Sequence, residues 1–186
     1  MVVTDKKVAW PAFRNMELDD DDHALYELIE GIIMRRASPN LPHQRVARRL
    51  SKRLGTYLDQ NPIGEYYFAP VDVVLDEWNV PVPDLTFVSS ARSFIVANDE
   101  YIAGAPDIVV EIISPGSVKR DRAEKKTLYE KFGVKEYWLI DLPNRSVEIY
   151  LIKDNAYHLQ FFLENEGAIT SAQLPGFELD LKELFD

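Results

Sequence analysis

Cysteine is absent from all 186 residues, which excludes disulfide staples, thiolate zinc sites and cysteine nucleophiles. Histidine is scarce, and His23, His43 and His158 are too dispersed for a histidine-rich metal site. No apolar run approaches the roughly 20 residues that a membrane-spanning helix needs. The opening MVVTDKKVAW has neither the apolar stretch nor the small-residue cleavage site of a signal peptide. The expectation is a cytoplasmic protein with no membrane attachment. Hydrophobic residues at 46% and charged residues at 28% are ordinary globular values and exclude the disordered classes. A chain of this length builds one domain with a real core, expected as an extension over 1–25, a central unit over 43–141 and a C-terminal hairpin with a short helix over 146–186.

Positive charge is also scarce, and the net charge is −10. Taken alone, that argues against broad nucleic-acid affinity. The distribution changes the reading, because residues 31–58 hold seven of the 21 Lys and Arg and none of the 31 Asp and Glu. Acidic residues concentrate at Asp19 to Asp22 and in the tail from Asp154 onward. An enzyme acting on a polyanion needs such a basic patch, whereas a solvated helix face needs no further explanation.

Hydrophobic periodicity organises the rest. Residues 26–36, YELIEGIIMRR, read as a hairpin turning at Glu30-Gly31. The clearest helix is 43–58, where Val46, Ala47, Leu50, Leu54, Tyr57 and Leu58 share one face. Arg45, Arg48, Arg49, Lys52 and Arg53 occupy the opposite side. Strands are expected at 66–77, 84–88, 107–113 and 136–141, with a long connection at 89–106 and a helix at 118–132 stopped by Gly133. An antiparallel pair follows at 146–152 and 156–163, and Asp180 is a candidate N-cap for a last short helix. This helix–strand–strand–strand–helix–strand order predicts an α/β fold with a mixed sheet, parallel across the second helix.

Within that frame Glu111 stands out. A carboxylate inside the apolar run DIVVEII is costly unless it is paired or binds a cation. A structural salt bridge to a neighbouring element would satisfy it as well. Asp107 sits four residues away on the same strand, at roughly 13 Å, too far to share one ion. Asp84, at the start of the preceding strand, can approach from the side, since neighbouring strands lie about 4.8 Å apart. Asp84 and Glu111 are therefore the candidate metal pair, and oxygen ligands without thiols favour Mg²⁺ or Mn²⁺. On the second helix, Lys125 falls on the sheet-facing stripe with Leu128 and Phe132, whereas Lys119 and Lys126 point away. A lysine there needs a carboxylate or a phosphate. A structural bridge to Asp121 or Glu111 is one reading and a phosphate contact is the other.

Pro83-Asp84 before one strand and Glu111 in the next resemble the PD-(D/E)XK nuclease superfamily. More closely, YELIEG, SPNLPHQ, VPDLTFV, GAPDIVVEIISPGS, DRAEKKTLYEKFGVKEYWLID and LPGFELDL resemble the Uma family of restriction endonucleases, in order from about residue 20 to the C-terminus. The resemblance implies a restriction-endonuclease-like αβββαβ core and Mg²⁺-dependent hydrolysis of DNA phosphodiester bonds. It implies Asp84 and Glu111 as metal ligands. The superfamily lysine two residues after the strand carboxylate would fall at Ile113, so the resemblance implies that its role has moved to Lys125. Ser114 and Tyr129 are supporting candidates. Glu27 is either a further acidic group near the metal or an exposed strand residue. His43 and Gln44 either touch substrate or cap the helix, with capping preferred. Arg45, Arg49, Lys52 and Arg53 are the candidate nucleic-acid contacts. A homodimer is expected where both strands are cut, and no small-molecule cofactor is implied. A catalytically weak copy of the fold that binds nucleic acid or protein is the alternative, and no visible element separates DNA from RNA.

Overall fold

The computed structural model describes residues 6–16, 25–36, 38–113 and 117–186. Ser114, His23 and the run Asp19 to Asp22 lie outside them.

A short helix α1 (Trp10–Arg14) precedes the hairpin β1 (Tyr26–Ile29) and β2 (Ile32–Arg35). Both turn residues take positive φ, Glu30 at 52° and Gly31 at 81°, as a two-residue primed turn requires. Leu28 joins Phe13, Ile33 and Val80 in a small apolar cluster. It exchanges backbone hydrogen bonds with Val80 at 3.0 and 2.7 Å. Strand alternation then turns the neighbouring Glu27 to the opposite face.

Helix α2 (Leu41–Gln60) is longer than its sequence expectation by two residues at each end. Asn40 caps it, its Oδ1 accepting from His43 N–H at 3.0 Å. The apolar stripe Val46, Leu50, Leu54, Tyr57 and Leu58 is buried as periodicity requires.

The single strand expected over 66–77 is two. Strand β3 (Gly64–Phe68) belongs to the main sheet, and β4 (Val73–Val74) to a smaller one. Pro70 has no N–H to give a ladder, so pairing stops before it. After β5 (Leu85–Ser89) and a 3₁₀ turn (Ser90–Ile95), the connection 89–106 holds two further short strands, β6 (Val96–Ala97) and β7 (Tyr101–Ala103). These close a three-stranded sheet with β4 around Val73, Ile95 and Ile102.

Strand β8 (Ile108–Ile113) is buried throughout. A π-helical segment (Arg120–Lys125) runs into α3 (Lys126–Lys131). Gly133, at φ +74°, ends the helix in a conformation that side chains resist. Then follow β9 (Glu136–Asp141), β10 (Ser146–Lys153), β11 (Ala156–Glu164), the hairpin β12 (Ala168–Thr170) with β13 (Glu178–Asp180), and α4 (Leu181–Phe185). Asp180 caps α4 through Lys182 N–H at 2.7 Å.

The main sheet has the order β11-β10-β9-β8-β5-β3. Its β8–β9 pair, joined through α3, is parallel, and the other pairs are antiparallel. The sheet is mixed, as its sequence pattern predicts. One face packs Leu85, Phe87, Ile108, Val110 and Trp138 against α2 and the C-terminal segment. The other packs Val109, Ile113, Tyr137 and Leu139 against Tyr129 of α3. Glu111 alternates onto this second face, between Val109 and Ile113.

Candidate active site

The antiparallel register of β5 on β8 pairs Leu85 with Val110. One step along the ladder, just before β5 begins, Asp84 comes opposite Glu111. Main-chain geometry holds Asp84 in place: its Oδ2 accepts from Ile112 N–H at 2.7 Å. The same oxygen lies 3.1 Å from His43 Nε2, and Oδ1 accepts from Arg36 Nη2 at 2.8 Å. Burial raises the Asp84 carboxyl, but the His43 contact and the Arg36 charge outweigh it and bring it down to about 2. Asp84 is therefore ionised and can only accept, so His43 Nε2 carries the proton of that contact.

Glu111 is 2% exposed. Its Oε1 accepts from Lys125 Nζ at 2.8 Å and from the Tyr129 hydroxyl at 2.7 Å. Burial, with Asp121 and Asp84 nearby, outweighs Lys125 and lifts this carboxyl to about 7. Glu136 shows what a satisfied buried carboxylate looks like in this fold. It accepts from Trp138 Nε1, Ser171 Oγ and the N–H groups of Ala172 and Gln173 at 2.6–2.9 Å, anchoring the C-terminal segment. Glu111 has half as many donors and lines a cleft.

Lys125 is 1% exposed and bridges two acids, Glu111 and Glu27, the latter at 2.9 Å. Burial opposes its charge, but the two carboxylates more than compensate and raise its pKa. The π-helical turn stacks Lys125 and Asp121 toward the sheet, both buried. Such turns recur where a helix must aim a side chain. Tyr137 takes up the main-chain carbonyl of Asp121 at 2.9 Å.

Glu27 is fully buried, which removes the exposed-strand alternative. Lys125 and Arg120, at 2.9 and 3.3 Å, neutralise it without hydrogen-bond geometry, so both its oxygens keep accepting capacity among the described residues. Burial raises its carboxyl, yet Lys125, Arg120 and Arg36 pull it below the ordinary range.

His43 is not the helix cap, because the cap is Asn40, whose shorter side chain sits at the N-cap position itself. The His43 ring reaches Asp84 instead. Asp107 is remote from this cluster: it accepts from Ser89 N–H at 2.8 Å and pairs with Arg92 and Lys135 at 3.2 and 2.6 Å. Lys126 does not face open solvent, since its ammonium lies 3.8 Å from the centroid of the Tyr150 ring.

Asp84, Glu111, Lys125, Asp121, His43, Arg36 and Arg120 line a cleft of about 480 Å³, together with Leu25, Pro39, Gln44, Ala47, Arg48, Ser51, Phe68 and Pro70. Of the basic residues on α2, Arg48 lines it. Arg45, Arg49, Lys52 and Arg53 do not, and instead flank the C-terminal segment. Arg49 donates to Leu184 O and Arg53 to Glu178 O, at 3.2 and 2.7 Å.

Sequence reasoning did not single out Arg36, Arg120 or Phe68; it took Asp121 only as a bridge partner for Lys125, and Arg48 only as part of the basic helix face. Arg120 could have been found from its spacing to Lys125 on one helix. Arg36 carries no such signal, since it looks like any charge at a strand end.

Among the described residues no group of three or more Asp, Glu or His is arranged to hold a metal ion. The donor set is two carboxylates from neighbouring strands. Mg²⁺ is commonly held by one or two carboxylates, with water and substrate phosphate completing the shell, so Asp84 and Glu111 fit it. No described helix is long and apolar enough to cross a membrane.

A sequence model of the Uma2 family, described as "putative restriction endonuclease", matches residues 10–182. The chain belongs to this family. No curated protein matches it. Among solved structures, a protein from Anabaena variabilis described as a "putative nuclease belonging to DUF820" superposes with a TM-score of 0.76 at 19% identity, covering 96% of this chain and 97% of that one. That likeness establishes the shared nuclease-like fold of this Uma2 family member.

Proposed function

We propose that this Uma2 family chain is a divalent-metal-dependent nuclease hydrolysing phosphodiester bonds in DNA. The observation that carries the reading is the pair Asp84 and Glu111 on adjacent strands at the floor of a cleft, with a buried Lys125 against Glu111. Asp84 and Glu111 would hold Mg²⁺ or Mn²⁺. When bound, such an ion polarises a phosphoryl oxygen and lowers the pKa of a coordinated water.

The chain's own side chains do the rest. The Tyr129 hydroxyl and Ile112 N–H fix the two carboxylates. Glu27 and Glu111 keep Lys125 protonated, which suits it to stabilise charge on the scissile phosphate and not to act as a base. Ile113 is packed with Tyr129 and Val109, so the amine reaches the site from the helix. Arg36, already on Asp84 Oδ1, adds a second cation beside the reacting group.

Purified protein incubated with plasmid and single-stranded DNA in Mn²⁺ tests this. Cleavage that disappears in EDTA and in Glu111→Gln supports the reading. DNA binding without cleavage in any divalent ion refutes it in favour of a binding module.

A further inference from the structure

We infer that the cleft takes a single DNA strand, with an unpaired base stacked on Phe68 and the adjoining phosphate led inward past Arg48. This rests on the nuclease reading above and names the form of its substrate.

Phe68 ends the edge strand β3 and is 63% exposed. An isolated exposed phenylalanine would need no explanation, but this one lines the cleft beside Pro70, with Ala47 across from it on α2. Among the described residues no other ring stacks on it. The cleft thus has an apolar wall with an open aromatic face at one side and charged groups at its floor. A nucleotide has the same division, a flat base and an anionic phosphate. A volume of about 480 Å³ lies within the range that encloses one small-molecule unit, room for one unpaired nucleotide.

The charge distribution agrees. Of the five basic residues on α2, Arg48 is the one that lines the cleft, from a position it shares with the groove against the C-terminal segment. It sets an exposed cation at the cleft rim, where the phosphate next to a stacked base would pass. His43 adds an independent sign. With Nε2 committed to Asp84, its Nδ1 is buried in the cleft wall and lacks a hydrogen-bond partner among the described residues. A base amine would supply that partner. An unpaired base offers its whole edge to such a group, whereas a paired one does not.

The test is fluorescence anisotropy with a labelled single-stranded oligonucleotide and its duplex, in Ca²⁺, checking the DNA for intactness. Single-strand binding should exceed duplex binding. Phe68→Ala should weaken it roughly 5- to 150-fold, the span expected for one lost stacking contact, and Phe68→Trp should retain it. Phe68 is exposed, so both variants should melt with the wild type. Equal affinity for duplex, or no change in Phe68→Ala, overturns the inference. If Mn²⁺-dependent cleavage persists in that case, the nuclease reading stands without it. Absence of both binding and cleavage overturns the two together.

Discussion

Lys125→Met deletes one charge and keeps the length and apolar stem of the side chain. The wild-type ammonium lies 2.9 Å from Glu27 and 2.8 Å from Glu111, and all three groups are buried. Removing one partner of a buried pair typically costs about 3–5 kcal/mol, because uncompensated charge stays behind. Two carboxylates lose a partner here, but Arg120 still faces Glu27 and Tyr129 still bonds Glu111, so the same range applies. For a protein of this size it corresponds to a fall in Tm of about 6–20 °C.

The pH dependence carries the sign. Glu27 is held below the ordinary carboxylate range in the wild type. Its contribution is present above about 4.3 and lost as pH falls through the folded value. Glu111 sits at about 7, so its contribution is complete below about 4.3 and lost as pH rises through 7. Without Lys125 both carboxyls move up from their wild-type positions, so the loss relative to the wild type is smallest where they are protonated and grows as they ionise. Thermal denaturation in EDTA from pH 5 to 8 should show a deficit that grows with pH, and adding Glu27→Gln should recover part of it. A variant as stable as the wild type at pH 8, or a deficit equal at pH 5 and pH 8, would refute the charge balance described here.

Asp107→Asn should lose about 1.5–3 kcal/mol, the range for hydrogen bonds to charged groups, with Mn²⁺ affinity by calorimetry unchanged. Hydrogen bonds from Lys135 and Ser89, against burial, hold Asp107 low, so the gap should close as pH falls below about 3.9 and through the folded value. Arg48→Glu should weaken single-strand binding and lower its salt slope by about 0.7, whereas Arg53→Glu, which loses Glu178 O, should mainly lower Tm. Equal salt slopes in these two variants would deny Arg48 its place at the cleft. Lys126→Met should cost about 0.5–1 kcal/mol from its contact with Tyr150 and leave cleavage at the wild-type rate.

The long elements were legible because their patterns are strong. The α2 stripe and the unbroken burial of β8 and β9 follow from periodicity and apolar run length. Asp84 and Glu111 were legible for the opposite reason, as carboxylates at the start of one apolar strand and inside another. The short sheet of β4, β6 and β7 was not, since strands of two or three residues carry too few side chains for a period to register. Glu27 was ambiguous because strand alternation identifies two faces but not what covers each. Its partners Lys125 and Arg120 lie more than 90 positions away. The basic run on α2 reads as one surface in sequence, but a helix divides it. Arg48 goes to the cleft, whereas Arg49 and Arg53 go to carbonyls of a C-terminal segment that periodicity could not place beside them.

The central claim is that Asp84 and Glu111 together hold the catalytic cation. Anomalous diffraction from crystals of the protein grown or soaked in Mn²⁺ tests it most directly. A peak within bonding distance of both carboxylates, absent in Asp84→Asn, is the predicted result. A peak elsewhere, with Arg36 still on Asp84 and Lys125 still on Glu111, would contradict it.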